Sequence, residues 1–87
     1  MMEQFIIDHI CMVVQSIGVS VDKLETTTGT AQVTEHTNIS YGIGKYYALI
    51  ECLEEINLDK FVETHTRFEF KIKNALKALE GLYQGRG

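Results

Sequence analysis

The residues best suited to holding a ligand are in the run Gly42-Ile43-Gly44-Lys45. At a helix N-terminus, two glycines and a lysine bind an anion through free backbone N–H groups and the ammonium charge. The run follows a segment, 18–40, that holds six of the chain's eight threonines. Hydroxyls of Thr28 and Thr30, the His36 imidazole, and the rings of Tyr46 and Tyr47 complete a set suited to a small anionic ligand such as a nucleotide. The run is not a P-loop: that motif requires a Ser or Thr after the lysine and an earlier glycine, and here Tyr46 follows Lys45. The structural alternative is that the glycines permit a tight turn or a close approach to a neighbouring helix.

Other chemistry-bearing residues form no catalytic set. His9, His36 and His65 are not at metal-ligand spacings with one another or with cysteine. His65 falls on an apolar stripe and reads as a hydrogen-bonded core histidine. Cys11 and Cys52 sit in apolar runs without a CxxC spacing, and they read as reduced, buried thiols. No neighbouring residues make a nucleophile–base pair. The reading is therefore of a non-enzymatic protein with no metal and no cofactor.

Two short resemblances exist. Glu51-Cys52-Leu53-Glu54 resembles the ExxE of MazG-type helical nucleotide pyrophosphohydrolases, in which such carboxylates bind Mg²⁺. The completing ExxD is absent, because the matching stretch is Glu63-Thr64-His65-Thr66, so Glu51, Glu54 and Glu55 read as a solvated face. Ser16-Ile17-Gly18-Val19-Ser20-Val21 looks like the turn of a helix-turn-helix regulator. Its would-be recognition segment, Val21–Thr28, carries one Lys against Asp22 and Glu25, a poor match to phosphate contacts. Nucleic acid is therefore not the expected partner.

Three segments must position these residues. Helical periodicity predicts a first helix over about 3–17, with Gly18 as its stop. A second is predicted over about 42–56, capped by Ser40 or Asn38, with Asn57 left-handed at its end. A third is predicted over about 59–83, capped by Asp59 and fraying over 84–87. The two-residue link Asn57-Leu58 makes the last two an antiparallel hairpin. The Thr-rich excursion 18–40 is β-branched and alternates at Val19/Val21 and Ala31/Val33, which suggests a β-hairpin turning near Gly29; a short helix at Val21–Thr26 followed by an ordered loop is the alternative.

Eighty-seven residues with 45% apolar and 23% charged content make one small soluble domain, not a disordered or disulfide-held chain. The start of the sequence lacks a basic segment, and Asp8 and His9 interrupt Phe5–Val14, so neither a signal peptide nor a membrane span is expected. The expected location is the cytoplasm. Residues 1–66 carry three bases against ten acids, while residues 67–87 carry five against two. That asymmetry suits self-association.

The third helix, about 37 Å long at ~1.5 Å per residue, would outrun the second by about 15 Å. The overhang leaves Leu79, Leu82 and Tyr83 for another chain to cover. Phe5, Met12 and Phe70 fall on otherwise polar faces. The whole reads as a mainly α, three-helix domain that forms a homo-oligomer, by default a dimer. It would regulate or inhibit by binding another macromolecule, at a size common among proteins of phages and other mobile elements. Small-anion binding is the alternative.

Overall fold

A computed structural model describes residues 2–84, with side chains described for residues 2–80. These residues form three α-helices: α1 (Met2–Thr26), α2 (Thr30–Ile56) and α3 (Leu58–Gln84). The molecule is a rod of 43 × 20 × 16 Å. A 27-residue helix is about 40 Å long, so the rod is one helix in length.

Each helix buries one stripe at alternating spacings of three and four. On α1 the buried residues include Ile6, Ile10, Val13, Ile17, Ser20 and Leu24. On α2 they are Ile39, Ile43, Tyr46, Ile50 and Leu53. Phe68, Ile72 and Ala75 on α3 join them in one core, and Phe61 and Leu79 pack at its edge. α1 is also long and apolar enough to cross a membrane by length and composition, with a mean hydropathy of 1.5 in its most apolar 18-residue window. One third of that window is buried within the bundle.

The Thr-rich segment is not a β-hairpin, and no strand occurs among the described residues. α1 runs through Gly18 to Thr26, and α2 begins at Thr30. The core stripes continue through polar residues, which hides them from a search for apolar periodicity. Ser20 bridges Ile17 and Leu24 on α1, while half-buried Gln32 and His36 lead into Ile39 on α2. The threonines fit the helices by turning their hydroxyls back onto the backbone. Thr34 Oγ1 donates to the Thr30 carbonyl at 3.2 Å, and Thr37 Oγ1 donates to that of Val33 at 3.0 Å.

Several boundaries change accordingly. Gly18 is neither a helix stop nor the turn of a helix-turn-helix, because it lies inside α1. Asn38 and Ser40 lie inside α2 and cap nothing; the chain reverses at Gly29 (φ 63°, ψ −134°). α2 and α3 each have 27 residues, so the expected overhang of α3 does not exist. Leu79 is half-buried against the core. The side chains of Leu82 and Tyr83, and the expected fraying of the last residues, lie outside the described residues.

Asn57 alone joins α2 to α3. It is extended (φ −155°, ψ 100°), not left-handed. Its Oδ1 accepts the Lys60 N–H at 3.1 Å, so Asn57 caps α3 and Asp59 lies in the first turn. Its Nδ2 donates to Glu3 Oε2 on α1 at 3.2 Å.

Candidate functional site

The α1 and α2 surfaces leave a groove of about 440 Å³ between them. Residues one and two turns apart on α1 form one wall: His9, Met12, Val13, Ser16 and Ser20. Asn38, Tyr41, Gly42 and Lys45 form the other. The helices approach closely at Gly42: a Cβ placed there would lie 2.6 Å from Ile17 Cγ1. The glycine therefore serves helix packing. Gly42 and Gly44 do not open a helix, and their N–H groups are not free for an anion as they would be at a helix start, since both lie well inside α2.

The sequence-predicted ligand residues divide. Gly42 and Lys45 line the groove. Gly44 is exposed elsewhere on α2, with nothing within 4 Å of a Cβ built there. Thr28 is exposed in the connection between α1 and α2, Thr30 opens α2, and His36 is half-buried in its first turns. Tyr46 is fully buried, and Tyr47 lies beside it, exposed, with ring centroids 5.5 Å apart.

Tyr46 and His65 form a polar contact at the core's edge. The Tyr46 hydroxyl lies 3.1 Å from His65 Nδ1, and the Phe61 ring stacks on the imidazole at 5.7 Å. Burial, then the neighbouring Tyr47 and Glu69, pushes the Tyr46 hydroxyl up to about 12. Tyr46 is therefore neutral across the physiological range, and His65 is the hydrogen-bonded histidine that its stripe position implied.

The remaining reactive groups stay apart. Among the described residues no three His, Cys, Asp or Glu side chains converge. Glu51, Glu54 and Glu55 face solvent. Cys11 is half-buried and Cys52 is exposed, so the expectation of two buried thiols is met in part at Cys11 and fails at Cys52. An apolar neighbourhood in sequence does not fix the face a residue takes.

Phe5, Met12 and Phe70 are exposed at 68%, 67% and 72%. Val19, 53% exposed, continues the spacing of Phe5 and Met12 at intervals of seven. With Met2, His9 and Ser16 between them, they give α1 a second stripe of alternating three and four spacing, one residue out of step with the buried one. Sequence reasoning missed His9, Ser16, Ser20, Asn38 and Tyr41 as groove residues. The available signal was their three- and four-residue spacing on each helix.

No family model, curated protein or solved structure matches the chain.

Proposed function

We propose that this protein is a non-enzymatic regulatory or inhibitory protein that binds macromolecules as a homo-oligomer, with a dimer as the closed form. The observation that carries the reading is the outer stripe of α1. A helix that buries one three-four stripe needs no second one for its own fold. Phe5, Met12 and Val19 nonetheless repeat every seven residues on the solvent side. Such a seam pairs with a like seam, and in a two-fold dimer the same patch serves both subunits. The loss of the α3 overhang removes Leu79 from the interface and shifts the reading onto α1, with Phe70 as a separate exposed anchor.

The helix order within the subunit follows an up-down-up course in this reading, with α2 and α3 as an antiparallel hairpin. Three contacts support it: Glu3 meets Asn57, Ile17 meets Gly42, and Tyr46 meets His65. A cytoplasmic location fits an α1 whose most apolar stripe is already buried against its neighbours.

Sedimentation velocity on the intact protein and on Met12→Glu tests the oligomer. Met12 is exposed, so the charge leaves the core intact. The expected result is a dimer at tens of micromolar for the parent and a monomer with unchanged helicity for the variant. A parent chain that stays monomeric at high micromolar concentration refutes the reading.

A further inference from the structure

We propose that the groove between α1 and α2 binds a small organic anion that carries an apolar body. The inference does not rest on self-association; His9, Met12 and Ser16 belong to both surfaces, so ligand and partner subunit compete for them.

The charge and donor chemistry of the walls points to an anion. No carboxylate lines the groove, and Lys45 contributes its one permanent charge. Between His9 and Lys45 the sequence holds three acids, Asp22, Glu25 and Glu35, and none of them lines the groove. Among the described residues, Lys45 forms no ion pair. Among the described residues the hydroxyls of Ser16, Ser20 and Tyr41 find no hydrogen-bond partner either. Four donor-bearing side chains from two helices thus face one concavity uncommitted. Ser20 is the least exposed of them, at 7%, and it lines the groove. A hydroxyl placed on a core stripe is usually satisfied within the fold.

The shape supplies the apolar half. Met12 and Tyr41, exposed on opposite helices, and buried Val13 line the groove with apolar surface. The volume of about 440 Å³ falls in the range of small-molecule sites. A smaller groove, about 210 Å³ between α1 and α3, offers a contrast. Asp22 and Lys71 line it together, so its walls carry opposed charges and select no sign of ligand.

Carboxylate and phosphate monoester share this chemistry, and ¹H–¹⁵N NMR titrations with benzoate, phenyl phosphate and neutral benzyl alcohol separate them. The expected result is saturable shifts at the amides of Ser16, Ser20, Tyr41 and Lys45, with at least one anion binding more tightly than the alcohol. Whichever anion is tighter assigns the head group. Lys45→Gln weakens that anion about two- to fivefold, the scale of one partly exposed ion pair, and leaves the alcohol unchanged. Ser16→Phe fills the groove from an exposed position and abolishes binding of all three probes. Phe70→Ala, remote in sequence and absent from the groove walls, has no effect. The proposal falls if no groove amide saturates by about 10 mM. It falls equally if benzyl alcohol matches both anions, or if Phe70→Ala weakens binding as much as Lys45→Gln does. Sedimentation in the same buffer reports the oligomeric state separately.

Discussion

Gly42 and Gly44 are two residues apart in α2, yet replacing each with alanine should move stability in opposite directions. At Gly44 a Cβ meets nothing within 4 Å. Ala at an open helix-interior position stabilises by about 0.5–1 kcal/mol, because glycine loses more backbone entropy on folding. At Gly42 the same Cβ would sit 2.6 Å from Ile17 Cγ1 and 3.2 Å from its Cδ1. Carbon atoms in contact prefer about 3.5–4.0 Å, so a displacement near 1 Å is required. Cγ1 is bonded directly to the Ile17 Cβ and cannot swing away freely inside a close-packed core. Overpacking of this kind costs about 1–3 kcal/mol, offset by the ~1 kcal/mol propensity gain. The two variants should therefore differ by about 1–3 kcal/mol, with Gly44→Ala above the parent and Gly42→Ala at or below it. Urea titration followed by circular dichroism at constant protein concentration measures both. An Ile17→Ala background sharpens the test. That change alone costs about 2–5 kcal/mol, but it removes the clashing atoms, so adding Gly42→Ala should then stabilise. The reasoning is refuted if Gly42→Ala stabilises the parent as much as Gly44→Ala, or if the Ile17→Ala background leaves its sign unchanged.

Three further outcomes follow from the same structure. Gly18→Ala should raise the unfolding free energy by about 0.5–1 kcal/mol, because Gly18 is helix interior with open space around it; a loss would mean that the chain breaks there. Gly29→Ala should destabilise by about 1–3 kcal/mol, since φ of 63° with ψ of −134° is a conformation that suits glycine, and an unchanged melt would refute the turn geometry. Tyr46→Phe should cost about 1–2 kcal/mol at neutral pH by leaving His65 Nδ1 without its partner. The Tyr46 hydroxyl is raised to about 12 from 10, so its neutral form is favoured by folding. Its contribution is complete below pH 10 and is lost as pH climbs towards 12, by up to about 2–3 kcal/mol. Alkaline melts should thus fall more steeply for the parent than for Tyr46→Phe, and parallel curves would refute the burial argument.

The parts of the fold legible in the sequence are those whose stripes are apolar throughout. Phe61, Phe68, Ile72 and Ala75 identify α3, and Ile6 to Ile17 identify the first part of α1. The Thr-rich stretch was opaque because Ser20, Gln32 and His36 hold core-stripe positions while looking like surface residues. Their burial comes from the neighbouring helix, which local propensity does not record. Gly18 and Gly42 misled because a glycine in a helix interior looks like a terminus; at Gly42 the contact with Ile17 accounts for it, while Gly18 has open space around it. Phe5, Met12 and Phe70 were legible as exposed, because each lies off its helix's apolar stripe. Of the groove's nine lining residues, two were legible as ligand residues, Gly42 and Lys45. Its α1 wall depends on the register between two helices, and that register stays hidden while α2 is thought to begin at residue 42.

Asn57 also bears on how the chain could exchange between molecules. It is the sole non-helical residue between two 27-residue helices. Were it to turn helical, α2 and α3 would fuse into one rod about 80 Å long. Half of that rod's core stripe would then lie beyond the reach of its own α1, and a second chain would have to cover it by swapping halves. Asn57→Leu, which deletes the cap on Lys60 and supplies a strong helix former, should drive the protein towards such an exchanged dimer. One side-chain amide and one extended peptide thus keep the bundle's contacts within a single chain.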